Sequence, residues 1–164
     1  MCAQFAFVEK HDERLYQYMI EVEKNARLRI DTCPNLLRSA LERTVNMIIQ
    51  KDVPDVQALR DGYRNVAKPD RKNKWDLYYK IEALKSPRLM KKSPLPRLES
   101  IMLVYQSGKK SPENSYDALR NFGNAGSHDG QTRNDEPLLT YDNLRLCLMK
   151  MHLLLKLFFV EKEL

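Results

Sequence analysis

An all-α fold is predicted by three features of the sequence. Only five of the 164 residues are glycine and the eight prolines fall mostly between segments of helical period, so the elements between breakers are long. Apolar residues recur at steps of three and four in segment after segment, and the alternating β-branched runs that mark strands are nearly absent. At this length one hydrophobic core is the default, so the whole chain, residues 1–164, reads as a single helical domain. With 43% apolar and 30% charged residues, it is too apolar to be disordered.

The first helix is expected over residues 12–28, where Leu15, Tyr18, Met19, Val22 and Ala26 share a face. The second is expected to open with Thr32 as cap and Pro34 in its first turn. Its core stripe is Leu37, Leu41, Val45 and Ile48. Arg38 and Glu42, four apart on this helix, are expected to pair. Two shorter helices follow at residues 52–67 and 73–84, divided by Lys68-Pro69-Asp70. The second of them carries Trp75, Leu77, Tyr78, Tyr79 and Ile81. Residues 85–96, with Pro87, Pro94 and Pro96, read as an exposed connection before a helix at 97–106. Ser111-Pro112 opens another helix, with Asn114 completing a weakened capping box. Residues 129–137 form a polar loop. The final helix, 141–160, is apolar on nearly every face, which implies burial or dimerisation. Met47, Met90, Met102, Met149 and Met151 read as core filler.

The formal net charge is +6, and it is unevenly placed. Residues 60–110 hold 14 lysines and arginines against five acids, leaving 14 against 17 for the rest. A basic middle on a near-neutral body suits a polyanion, because each cation set against a phosphate releases counterions. Lys72, Lys74, Arg88, Lys91, Lys92, Arg97, Lys109 and Lys110 are the candidate phosphate contacts. A solvated, lysine-rich surface has the same appearance. Trp75, Tyr78 and Tyr79 interleave with Lys72, Lys74 and Lys80 in a pattern that can clamp single-stranded bases, although aromatics so spaced more often pack in a core.

The three cysteines, Cys2, Cys33 and Cys147, have no C-x-x-C spacing, and His11 and His152 have no ligand partners at usable distance. Neither a disulfide framework nor a metal site is expected, and a reducing, cytoplasmic location fits. Polar residues from Gln4 to Asp12 argue against a signal peptide. Arg145, Lys150, His152 and Lys156 interrupt the longest greasy stretch, so no membrane span is expected.

The concentrated chemical signal is residues 120–128. At about 100° per residue, with Arg120 as zero, Asn124 falls near 40°, His128 near 80° and Asn121 near 100°. All four share one face over about 12 Å of helix, comparable to two nucleotide phosphates. Gly123 and Gly126 beside them imply close approach of a ligand or backbone, or a helix that distorts or ends there. In the latter case His128 simply complements a helix C-terminus. A guanidinium can grip a phosphate with two parallel hydrogen bonds, an imidazole can exchange a proton near neutral pH, and asparagine can orient either. Those parts suit metal-free transesterification of RNA, with Arg120, Asn121 and His128 as catalytic candidates and Asn124 as a binding residue. They suit a phosphate-binding site equally well.

At Arg120, Asn121 and His128 the chain resembles the higher eukaryotes and prokaryotes nucleotide-binding (HEPN) superfamily, and at Leu119, Arg120, Gly123, Asn124 and His128 it resembles the pattern of one branch. That branch, to which it is most similar, is one of unknown function at the N-terminus of type I restriction enzyme R subunits and related defence proteins. Phe5-Ala6-Phe7-Val8-Glu9-Lys10 and Leu37-Arg38-Ser39-Ala40-Leu41-Glu42 extend the likeness into the N-terminal half. The resemblance implies a helical bundle that often dimerises by bringing two motif helices together, with or in place of the apolar C-terminal helix read above as a dimerisation candidate. It implies RNA or other nucleic acid as partner, and downstream helicase or nuclease domains in a longer protein. In active members it implies an endoribonuclease that uses no metal or cofactor; other members only bind RNA, nucleotides or protein. Seven residues separate Arg120 from His128 here, against four to six in active members. One extra residue turns the histidine by about 100° in a regular helix.

Overall fold

The computed structural model describes residues 3–85 and 140–162. Every regular element among them is helical, with no strand, so the chain is an all-α bundle. The connection expected at 85–96, the helices at 97–106 and from 111, and the loop at 129–137 lie outside the described residues, apart from Lys85.

The chain opens with a turn that the periodicity did not indicate. A 3-10 turn, Ala3–Phe5, runs into α1, Ala6–Glu9, and together they bury Phe5 and Val8 completely. Helix α2, Glu13–Asn25, begins where Asp12 accepts a hydrogen bond from the Leu15 amide at 2.7 Å, satisfying one of the donors a helix start leaves open. Leu15, Met19 and Val22 are fully buried on its inner face, while Tyr18 and Ala26 pack half-buried at the edge.

Helix α3, Cys33–Asp52, is the longest described, with Pro34 in its first turn as expected. Thr32 does not cap it: it has helical backbone angles at the end of a 3-10 turn, Ile30–Thr32, and its hydroxyl donates back to the Arg29 carbonyl at 2.8 Å. Leu37, Leu41, Val45 and Ile48 are all fully buried. Their stripe makes α3 the centre of the bundle, packed most extensively on α2 and also touching α5 and the final helix. Thr44, also fully buried, donates to the Ala40 carbonyl one turn back at 2.8 Å, which keeps its hydroxyl satisfied inside the core.

The next boundary differs from expectation. Instead of a new helix at residue 52, α3 continues through Asp52 and stops because Val53, preceding Pro54, is extended. Asp55 then caps α4, Val56–Val66, through the Ala58 amide at 2.8 Å. After a 3-10 turn, Pro69–Arg71, helix α5 runs Leu77–Lys85, several residues later than the sequence suggested. Asp76 accepts the Tyr79 amide at its start.

The final helix, α6, runs Tyr141–Lys156, capped by Thr140, and then widens into a π turn, Leu157–Glu161, ended by Lys162 in the left-handed conformation. Leu144, Cys147, Met151, Leu154 and Leu155 join the core. The helix is not buried all round, however, because Leu146, Met149 and Leu153 form an exposed stripe. Met149 is 62% exposed and Met151 fully buried, so only the second is core filler. No helix among the described residues is long and apolar enough to cross a membrane.

Candidate nucleic-acid interface

Of the candidate contacts, the described residues include Lys72 and Lys74. Both are exposed, with Lys68, on the connection between α4 and α5. Lys72 ends the 3-10 turn, and the Lys74 ammonium stands 6.0 Å from the centre of the Tyr79 ring. This corner therefore presents three cations to solvent, as a phosphate-facing surface requires. Arg120, Asn121, Asn124 and His128 lie outside the described residues, as do Arg88, Lys91, Lys92, Arg97, Lys109 and Lys110.

The described aromatic side chains of this corner, Tyr63, Trp75 and Tyr79, form core rather than a stacking platform, and the Tyr78 side chain lies outside those described. Tyr63 and Tyr79 are each more than nine-tenths buried, with ring centres 5.7 Å apart. Trp75 tilts against Tyr63 at 5.9 Å and is partly buried against the same cluster. Edge and tilted contacts of this kind add roughly 1 kcal/mol to the area they bury. Trp75 and Tyr79 accordingly follow the bland reading of their spacing, and Lys74 covers the cluster from outside.

One groove went unnoticed in the sequence. About 610 Å³ in volume, it lies between α2 and α3, lined by Arg14 and Tyr18 on one side and by Ser39, Glu42, Asn46 and Gln50 on the other. Its floor is an ion pair. Arg43 grips both Asp12 oxygens through Nε at 2.9 and 3.0 Å, with a terminal nitrogen 2.8 Å from one of them. Burial alone would raise the Asp12 carboxyl, but the hydrogen bonds from Arg43 and from the Leu15 amide outweigh it and hold the group below the usual carboxylate range. Among the described side chains of this helix the ion pair is made by Arg43, and not by the expected Arg38–Glu42 couple. The lining charges are two basic, Arg14 and Arg43, and two acidic, Asp12 and Glu42, and the Lys80 ammonium reaches the lining at Asn46, donating to its side-chain oxygen at 2.8 Å. The polar repeat Ser39, Glu42/Arg43, Asn46, Gln50 at helical spacing was the available signal, but it reads as any solvated face does.

Among the described residues, Cys33 and Cys147 offer no nucleophile; Cys2 lies outside them. Burial, with Asp31 nearby, pushes the Cys33 thiol up to about 11, and burial pushes Cys147 up to about 12 despite the Lys150 cation. At pH 8 their thiolate fractions are then roughly one in a thousand and one in ten thousand. Iodoacetamide labelling of the native protein at pH 8, read peptide by peptide, is expected to leave both unmodified until denaturant is added.

No family model, no curated protein and no solved structure matches the chain.

Proposed function

We propose that the chain is a HEPN-like nucleic-acid-binding domain of a prokaryotic restriction or defence system, acting on RNA through Arg120, Asn121, Asn124 and His128. The observation that carries the reading is the spacing of Leu119, Arg120, Gly123, Asn124 and His128 within an all-helical chain. The basic middle, whose described part at Lys68, Lys72 and Lys74 is exposed, supports it. Binding is its first commitment, because the seven-residue separation of Arg120 and His128 departs from that of cleaving members while leaving a phosphate grip intact.

The test uses labelled RNA in EDTA with the wild type, Arg120→Ala and His128→Ala. Arg120→Ala is expected to weaken RNA binding roughly ten- to a hundredfold, as loss of a charge-assisted contact costs about 1.5–3 kcal/mol. Wild-type affinity is expected to fall steeply between about 50 and 200 mM salt. Cleavage by the wild type that His128→Ala abolishes identifies a metal-independent endoribonuclease. Cleavage by neither leaves the domain a binder, and no RNA or DNA binding at low salt removes the proposal.

A second reading is supported by the exposed stripe Leu146, Met149 and Leu153 on α6. On it, the chain is a non-catalytic docking module that seats this helix on a protein surface, either a second copy or the remainder of a larger restriction or helicase protein.

A further inference from the structure

The N-terminal turn and the C-terminal end of α6 meet through two imidazoles. His152 sits edge-on to two rings of the turn, 5.5 Å from the centre of Phe5 and 5.6 Å from that of Phe7. His11, just after α1, stacks flat on Phe159 at 4.7 Å with the planes 4° apart. Neither residue has a role in the function proposed above. Both lie where the two ends of the described chain are joined.

The charges placed against the rings of this junction are cations. The Lys156 ammonium stands 4.6 Å from the centre of the Phe7 ring, and that of Lys51, from α3, 4.9 Å from the Phe158 ring. Lys10 and Lys162 also act on His11. The acids on the joined elements are Glu9, Asp142 and Glu161, all exposed, while Asp12, next to His11, is held by Arg43. Glu23, on α2, accepts a hydrogen bond from the Gln4 side chain at 2.9 Å. A proton arriving on His152 therefore enters a partly apolar contact in which Phe7 already faces one cation, so ring attraction offers the second cation little.

We propose that the contact of His152 with Phe5 and Phe7, seconded by that of His11 with Phe159, is an acid-labile clasp that holds the N-terminal turn to α6 only while both rings are neutral. Burial and then Lys156 lower the His152 pKa from its ordinary value, against a backbone hydrogen bond with Gln4 that favours the charged ring. Burial, Lys10, Lys162 and Lys51 lower that of His11. A lowered folded value means that the released turn binds protons more tightly than the docked one. The clasp is thus fully formed above the ordinary imidazole value near 6.5 and loosens as pH falls below it. The core of α2 and α3 has no histidine and keeps its packing over that range. Acid then loosens the half-buried Phe7 from His152, while Phe5 and Val8 keep their places in the core.

Hydrogen exchange tests this on the whole chain. The amides of His11 and Asp12, both donating to the Val8 carbonyl at 2.9 Å, report the turn. Protection factors, corrected for intrinsic exchange, are to be compared with those of α3 between pH 8 and pH 5, while fluorescence of Trp75 reports the bundle. The expected result is progressive loss of protection at residues 11 and 12 below pH 6.5 with α3 and Trp75 unchanged. His152→Phe combined with His11→Phe, which keeps ring contacts but cannot be protonated, is expected to abolish the loss. Protection independent of pH, or a loss that persists in the double variant, overturns the clasp. Should that variant fold poorly, titration of the two rings in the wild type by NMR decides the matter. Both are expected to titrate below a free imidazole, and titration at or above it overturns the proposal.

Discussion

Replacing Met151 by alanine is expected to cost about 3 kcal/mol of stability, and replacing Met149, two residues earlier on the same helix, less than about 0.5 kcal/mol. The side chains are identical and so is the helix, so propensity cancels and burial alone decides. Met151 is fully buried among the residues that join α6 to the core, and truncation leaves a cavity that close-packed neighbours fill only partly. Met149 is 62% exposed, and its truncation removes little from a packed environment. In a chain of this size 3 kcal/mol lowers the melting temperature by roughly 6–12 °C, which a thermal scan resolves easily. Equal effects from the two substitutions would show that α6 is seated differently. The same pair separates folding from docking: Met149→Ala is expected to weaken any assembly made through the exposed stripe while leaving the melting temperature of the isolated chain in place.

That contrast also marks how far the sequence could be read. Periodicity placed α3 well because Leu37, Leu41, Val45 and Ile48 repeat along one face and Pro34 fixes the first turn, both local properties of the chain. The end of α3 was legible in principle, since Pro54 forces Val53 out of helical geometry, yet the apolar pattern ran past it and drew the next boundary to residue 52. Thr32 failed as a cap because a hydroxyl can bond backward as readily as forward, and the 3-10 turn before α3 settled the choice. Around α6 the limit was different. Its apolar residues are nearly continuous, so which of two methionines faces the core depends on where α3 lies, and that is tertiary information. The N-terminal turn is too short to show a period, and Phe5 and Phe7 find the ring of His152 only through the fold. For the candidate site, exposure of Lys72 and Lys74 was legible as charge in a polar connection, and the core role of Trp75 and Tyr79 as the commoner use of such spacing. The Arg120-to-His128 motif is a sequence observation throughout.

Removing the Asp12 carboxylate is expected to cost about 2 kcal/mol, because one side chain does two jobs that no local pattern reveals. It caps α2 through the Leu15 amide, a contact worth about 1 kcal/mol at a helix start. It also receives Arg43 from α3, 31 residues away in sequence. With the Arg43 side chain 40% exposed and that of Asp12 10% exposed, this pair is neither a surface bridge nor a buried one, and about 1 kcal/mol is the appropriate scale. Asp12→Ala removes both contributions. Asp12→Asn keeps a good cap and removes the charge, so it is expected to cost about half as much. In Arg43→Met the Asp12→Asn step should then cost almost nothing, since the partner of the charge is gone. The pH dependence has a fixed sign. The folded-state pKa of Asp12 is lowered, so its contribution is complete above the unfolded value near 3.9 and disappears as pH falls through the folded one. Denaturant midpoints for the wild type and Asp12→Asn should therefore converge in acid below pH 4 and stand apart above it. A constant gap would mean that the loss comes from packing of the side chain and not from its charge.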